Sequence, residues 1–466
     1  MQKSYFIHTF GCQMNEHDSS RMGESLARAG WARAESAEAA DLVLLNTCAI
    51  REKAEDKLYS ALGRYRMVKA RRGSRIGVAG CVAQQEKERL LERAPYVDFV
   101  LGPDQIARVA ELAEKGGIAT GWVPSEEYVF PQADPESARG GATAFVTAMK
   151  GCDNVCSFCV VPHTRGREVS RPYAEIVHEV ASIVGVGVRE VTLIGQNVNS
   201  YAGGCGFAEL IRRVAAVPGL KRIRFTTSHP MDLSPELIEC FRDVPQVMPH
   251  FHLPVQHGAD TVLERMRRRY TVREYEDRVA RLFDACPQVA LTSDIICGFP
   301  GETDEEHART LELLRRVPYD NLFSFVFSER PHTAAALRLA RERESANPSA
   351  DWTEVPWNVA TRRLEQVQRL QQDRTIARHR SRVGGEVEVL VESARTPPDL
   401  AGERFGRSRE NWTVHFAGTA AVGDVVGVRV ERAGLVALVG TQISIVDASP
   451  RRARALPRTR LAVVSA

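Results

Sequence analysis

Short apolar runs that end in a cysteine and give way to a charge-rich helical stretch recur three times at the start of the chain. Ser4 to Phe10 leads to Cys12, Asp41 to Asn46 to Cys48, and Arg75 to Ala79 to Cys81, with separations of 36 and 33 residues between the cysteines. Those intervals match one βαβ unit each. The pattern predicts a parallel-sheet, Rossmann-like α/β domain over 1–118. Parallel strands present their C-terminal ends along one sheet edge, so the three sulfurs should converge there, where open α/β sheets bind ligands.

Residues 119–140 hold Pro, Gly and acidic residues without sustained periodicity and read as a linker or crossing arm. From 141 to 380 the period changes. Candidate strands at Thr143–Met149, Glu190–Ile194, Arg222–Thr226, Phe251–Val255, Ala290–Ile296 and Asn321–Phe327 alternate with amphipathic helical stretches. Right-handed crossovers would curl this series into a partial (βα)6 barrel with its active face at the strand C-termini. Val359 to Arg380 reads as a closing helix. From 381 to 446, short β-rich segments with Gly turns (Val387–Val391, Trp412–Phe416, Val425–Val430, Val436–Val439) predict a small antiparallel β-barrel. The tail 447–466 carries Arg451, Arg452, Arg454, Arg458 and Arg460, and is expected to be disordered.

Composition narrows the setting. At 466 residues, three domains can each bury a core without staples. Ten cysteines are too sparse for a disulfide scaffold, and Met1 to Phe10 lacks the pattern of a leader, so a reducing cytoplasm is expected. No run approaches the roughly 18 to 20 apolar residues of a membrane span. The formal charge of +3 neither demands nor excludes a polyanion. Even the C-terminal segment between Arg380 and Val446 has eight arginines against eight acidic residues.

Gly151-Cys152-Asp153-Asn154-Val155-Cys156-Ser157-Phe158-Cys159 is the sharpest chemical signal, a Cys-x3-Cys-x2-Cys loop directly after the first strand of the barrel series. Three thiolates within eight residues suit three corners of a cubane iron–sulfur cluster and leave its fourth iron open. The alternatives are a zinc site that recruits a ligand such as His163, or unrelated free thiols. For Cys12, Cys48 and Cys81 the alternative is packing at buried strand ends. Their equivalent places in three successive units favour a second cluster. Cys205, Cys240, Cys286 and Cys297 show no such spacing and read as structural.

The cysteine loop, with an aromatic before its last cysteine, is similar to the signature of the radical S-adenosylmethionine superfamily. With a three-cysteine α/β domain before it and a β-barrel after it, the chain resembles the methylthiotransferase family over nearly its whole length. Gly11 to Glu16, Asn46 to Ala54 and Val191 to Tyr201 resemble the branch acting on prenylated tRNA. The resemblance implies that Cys152, Cys156 and Cys159 hold a [4Fe-4S] cluster that binds and reductively cleaves S-adenosylmethionine. It implies that Cys12, Cys48 and Cys81 hold a second [4Fe-4S] cluster carrying the transferred sulfur. The expected reaction converts N6-dimethylallyladenosine at position 37 of the tRNA anticodon loop to its 2-methylthio form. The cofactor supplies the radical; the protein orients the base and excludes water. A low-potential donor such as flavodoxin or ferredoxin, a TRAM-like role for the C-terminal barrel, and a monomer complete the expectation.

Phe158 beside the cluster, and Asn197, Ser228, Gln256 and Gly298 at barrel strand ends, are the expected S-adenosylmethionine contacts, with Gln196, His229, Asp294 and Glu302 beside them. The competing role for Asn197 and Ser228 is capping, and for His229 and His252 a place in the core. No general acid or base stands out. Arg267, Arg268 and Arg269 read as a solvated helix face, as does the run Arg64, Arg66, Lys69, Arg71, Arg72, Arg75, although either could meet phosphate or carboxylate. Phe405, Trp412 and Phe416 read as core rather than as stacking platforms for splayed bases. Three features depart from the family pattern: His257 where serine is common, the loop Arg330-Pro331-His332-Thr333-Ala334, and an insertion from Ser345 to Trp357. Two other functions stay open at this point. One is a methylthiotransferase for threonylcarbamoyl adenosine or a ribosomal-protein aspartate; the other is a non-catalytic RNA-binding iron–sulfur redox sensor.

Overall fold

Six parallel strands make the first sheet, in the order Ala32–Arg33, Ser4–Thr9, Leu42–Thr47, Arg75–Gly80, Phe99–Leu101 and Gly117–Ala119. The structure, a computed structural model, describes residues 2–49, 52–393 and 403–449, and the side chains of all of these except 52–54. The expected basic tail lies outside the described residues from residue 450 onward, as do Ile50 and Arg51 of the motif at 46–54. The three strands that lead to cysteines are immediate neighbours in the middle of the sheet. The other three are two or three residues long, too short to show alternation in the sequence.

Leu42–Thr47 is buried at every position because helices cover both faces. Its period-2 alternation divides it between two cores. Val43 and Leu45 pack with Leu58, Ala61 and Leu62 of the helix Glu52–Arg72. Leu42 and Leu44 pack with Met22 and Leu26 of the helix Gln13–Arg28.

Six further strands form two parallel trios. Thr143–Thr147, Glu190–Ile194 and Arg222–Phe225 make one, and His250–His252, Ala290–Cys297 and Asn321–Val326 the other. A single bridge, Ile223 to Val247, spans the gap between them. The result is the partial barrel read from the βα series. Val191, Leu193, Ile223, Phe225 and Phe251 pack in its helix-facing core with Ile176, Val180, Leu210 and Phe241. Alternation leaves the other face of these strands to Glu190, Thr192, Arg222 and Arg224.

The C-terminal strands close into a barrel, Glu386–Ser393, Glu403–Ser408, Thr413–Ala417, Ala437–Asp447 and Val425–Ala433. Four pairings are antiparallel, and Thr413–Ala417 runs parallel to Ala437–Asp447. Trp412 and Phe416 are buried in its core, as read from the sequence. Among the described residues no helix is long and apolar enough to cross a membrane.

Buried charge joins the parts. The C-terminal barrel is gripped at its 407–411 turn. Arg224 donates to the carbonyls of Ser408 (2.7 Å) and Arg409 (3.0 Å) and to the Glu190 carboxylate (3.0 Å), while Arg222 donates to the carbonyl of Arg407 and to Glu388, both at 2.9 Å. The N-terminal helix Gln13–Arg28 is held to the (βα) barrel through Arg21, which donates to Glu179 at 3.0 Å; Glu179 in turn accepts from Arg171 at 2.6 Å. Replacing Arg224 with Ala leaves the Glu190 carboxylate, 3% exposed, without its closest cation. Arg222 stays 3.9 Å from that carboxylate, so the cost falls below the roughly 3–5 kcal/mol of a fully unpaired buried charge. The expected outcome is an earlier denaturant transition for the C-terminal barrel, followed by Trp412 fluorescence; an unchanged midpoint would contradict the role given to this grip.

Candidate functional site

All three N-terminal cysteines lie just past strand ends on the same sheet edge. Cys12 caps the helix Gln13–Arg28, Cys48 follows Leu42–Thr47 directly, and Cys81 opens the helix Cys81–Glu86. Gly11 makes the approach possible. Its φ is +133°, and a Cβ there would stand 2.4 Å from Cys48 Cβ. The trio is close enough to interact: a hydrogen bond with the Cys48 thiol holds the Cys12 thiol below its ordinary range. Burial pushes the Cys81 thiol up, opposed by Arg165.

The loop with Cys152, Cys156 and Cys159 is carried between the two strands of a small antiparallel ribbon, Met149–Lys150 and Val169–Ser170. Gly151, at φ +75°, lets the chain enter it, because a Cβ would stand 1.9 Å from the Arg167 carbonyl oxygen. The loop is pinned at Ser157, whose N–H donates to the Met266 carbonyl at 3.0 Å and whose carbonyl accepts from Ala335 N–H at 2.7 Å. Burial pushes the Cys152 thiol up to about 11 and the Cys159 thiol up to about 12. A metal bound there would have to displace those protons.

Each trio has one buried arginine that sequence reasoning missed. Arg268 donates to Cys156 Sγ at 3.4 Å and to the Pro254 carbonyl at 2.8 Å. It was read as part of a solvated helix face, and the structure corrects this. Arg267 and Arg269 both have φ of +57°, so the stretch is a turn that exposes its outer two arginines and buries the middle one. Arg165 donates through Nε to Cys81 Sγ at 3.2 Å and pairs through Nη1 with Asp18 Oδ2 at 2.7 Å. Although burial weighs against charge on both partners, Arg165 holds Asp18 below its ordinary range and Asp18 holds Arg165 above. The only hint in the sequence is position: Arg165 lies six residues after Cys159, and Asp18 two residues after the Gly11–Glu16 motif.

The expected contact residues gather at the strand ends. Phe158, half buried, packs with Met266 and Phe299. Asn197 and Ser228 do not cap helices with their side chains: Asn197 Nδ2 donates to Asp232 at 2.8 Å. Asn197 Oδ1, Ser228 Oγ and Gln196 Nε2 are all buried without a protein partner. Three orphaned polar atoms in one place fit a polar ligand, since buried polar groups otherwise find partners. Gln256 sits at φ +73° and bridges to Ile295 through its backbone. Gly298, at φ +75°, donates its N–H to Glu302. Glu302 is wholly buried and meets His257 (3.1 Å), Arg363 (3.2 Å) and His307 (3.5 Å). His257 thus braces the 298–302 loop. The inserted stretch braces it from outside: Gly301 N–H donates to the Thr353 carbonyl at 2.7 Å, and Trp352 packs edge-on to Phe299.

His252 is half buried and bonds Thr292 (3.0 Å), with Asp294 at 3.6 Å. His163, the extra ligand a zinc site would recruit, lies against the His332 ring. Cys240, Cys286 and Cys297 are buried and Cys205 half buried. The basic run on the helix Glu52–Arg72 is partly engaged, Lys69 with Asp98 (2.6 Å), Arg72 with Asp41 (3.2 Å) and Arg66 over Tyr96. Among the described residues, no three His, Cys, Asp or Glu side chains close around one point as a single metal ion requires. The fit of the cysteines to clusters rests on thiol chemistry, shared edges and the arginines facing the sulfurs.

Residues 4–102 match the family described as Uncharacterized protein family UPF0004, and 146–314 the Radical SAM superfamily. The tRNA-2-methylthio-N(6)-dimethylallyladenosine synthase of Anaeromyxobacter sp. (strain K) is 61% identical over 448 residues, 94% of each chain. Those of Myxococcus xanthus (strain DK1622) and Geobacter metallireducens are 57% and 46% identical, over 95% and 92% of this chain. Among solved structures, the radical S-adenosylmethionine methyltransferase TsrM from Kitasatospora setae shares the fold, with a TM-score of 0.55 at 15% identity over 75% of this chain and 80% of that one.

Two outcomes are expected. Gly11→Ala forces Cys48 away, so if each trio holds a cluster, as the sequence leads one to expect, the variant should lose the N-terminal share of its iron on anaerobic reconstitution; undiminished iron would contradict that expectation. Burial, aided by Arg268, lowers His229 from 6.5 to about 3. A histidine held neutral contributes stability above pH 6.5 and loses it as pH falls toward 3, about 2 kcal/mol by pH 5. His229→Gln should flatten the dependence of denaturation midpoint on pH in that window, and an unaltered slope would count against it.

Proposed function

The chain belongs to the tRNA-2-methylthio-N(6)-dimethylallyladenosine synthase family of radical S-adenosylmethionine enzymes, and from that premise we propose how its own residues divide the work. The substrate is N6-dimethylallyladenosine at position 37 of a tRNA anticodon loop, which leaves as the 2-methylthio derivative. Residues 1–118 hold one [4Fe-4S] cluster through Cys12, Cys48 and Cys81. Residues 141–380 hold the other through Cys152, Cys156 and Cys159. Residues 381–446 serve as a TRAM-like RNA contact, and 119–140 link the first two parts. When bound, the barrel cluster supplies the electron that cleaves S-adenosylmethionine, and the N-terminal cluster supplies the sulfur. One S-adenosylmethionine serves as methyl donor and another as radical source.

The chain's residues bind and orient. Asn197, Ser228 and the backbone at Gln256 and Gly298 present polar groups to S-adenosylmethionine, and Phe158 packs beside it. His257, Glu302 and Arg363 keep the Gly298 turn in place from behind, which fixes the ligand relative to the base. The observation that carries this reading is the cluster of unpartnered buried polar atoms, Gln196 Nε2, Asn197 Oδ1 and Ser228 Oγ, at the strand ends beside a three-cysteine loop. A cytoplasmic monomer reduced by flavodoxin or ferredoxin is the working context.

Anaerobic reconstitution with prenylated anticodon stem-loop RNA tests the proposal. The expected product is RNA whose adenosine has gained a methylthio group in place of hydrogen, with release of 5′-deoxyadenosine. Cleavage of S-adenosylmethionine without modification of this RNA would point to a different methylthio acceptor. Absence of cleavage under strong reduction would point to the redox-sensor alternative.

A further inference from the structure

Arg165 is part of the (βα) barrel by sequence, at the end of the one-turn helix Val161–Arg165 that leaves the Cys152 to Cys159 loop. Its side chain, 7% exposed, is spent on the N-terminal trio instead. Nε donates to Cys81 Sγ at 3.2 Å, and Nη1 pairs with Asp18 Oδ2 at 2.7 Å. Nη2 is buried with no hydrogen-bond partner in the protein. A full charge is costly to bury, and a neutral side chain would fill the same seam without that penalty. A charged donor on a cysteine sulfur has a specific electronic effect, because hydrogen bonds to the sulfurs and net local charge set the potential of an iron–sulfur cluster.

We propose that Arg165 is a positioning residue through which the (βα) barrel sets the reduction potential of the N-terminal cluster, with Asp18 as its counterweight. The inference rests on the proposed reading of Cys12, Cys48 and Cys81 as cluster ligands. Reduction adds one electron to the cluster and makes it more negative. The guanidinium donating to Cys81 stabilises that state, while the carboxylate of Asp18, within the same ion pair, opposes it. Arg165 follows the Cys152, Cys156 and Cys159 loop in the chain and hydrogen-bonds Cys81, so it connects the two cysteine trios directly.

The test is an electron-paramagnetic-resonance redox titration of anaerobically reconstituted protein. It is run in a background with Cys152, Cys156 and Cys159 all changed to Ala, so that the N-terminal cluster is seen alone. Arg165→Gln should shift the midpoint to lower potential, Asp18→Asn to higher potential, and Arg165→Lys should fall between wild type and Arg165→Gln. Opposite signs from the two halves of one ion pair are what a brace for the fold would not produce. Midpoints that stay at the wild-type value, or that move together, overturn the inference. If Arg165→Gln fails to retain iron, Asp18→Asn alone decides, since it keeps the guanidinium; an unshifted midpoint there overturns the proposal. Background protein that takes up no iron at all would sink the ligand reading itself, and this proposal with it.

Discussion

A parallel sheet has only one edge to which its strands point, and that constraint organises the molecule. Cysteines placed just past three adjacent strand ends must meet. Cys12, Cys48 and Cys81 do so behind Ser4–Thr9, Leu42–Thr47 and Arg75–Gly80. The (βα) barrel applies the same rule, with its three-cysteine loop after Thr143–Thr147 and its unpartnered polar atoms after Glu190–Ile194 and Arg222–Phe225. Arg165 then crosses from the second set to the first. Two edges that chain connectivity alone would leave independent are joined by one guanidinium.

Charge buried at the seams is the second recurring device. Arg21 with Glu179, Arg165 with Asp18, and Arg224 with Glu190 each join elements far apart in sequence, and all six side chains are at most 7% exposed. Ion pairs of this kind contribute less to stability than apolar packing of the same volume, but they tolerate only one mutual arrangement. For chemistry that must bring a sulfur source and an adenosyl group to the same base, a fixed arrangement matters more than added stability. The brace behind Gly298, built from His257, Glu302, His307 and Arg363, follows the same logic inside the barrel.

The cysteines were legible in the sequence because their spacing matches the βα repeat, and Glu190–Ile194 was read with the bounds it has, because five apolar-rich residues between turn signals leave little choice. Ala32–Arg33 and Gly117–Ala119 were not, since strands so short carry no periodicity. Glu403–Ser408 was hidden by its charges and glycine, and the parallel pairing of Thr413–Ala417 with Ala437–Asp447 depends on closure of the barrel rather than on any local pattern. In the site, Arg165, Asp18 and Arg268 escaped because charged residues are ordinarily exposed. Their burial is decided by partners that fold onto them from elsewhere, and for Arg268 by positive φ at both neighbours.

In the proposed enzyme both cysteine trios hold clusters and are linked through Arg165. Magnetic interaction between two reduced clusters in anaerobic protein measures that most directly. Mutual broadening or splitting of the two paramagnetic signals, lost when either trio is replaced by alanine, is the predicted result. Two signals that simply superpose, each unchanged when the other cluster is removed, would contradict it.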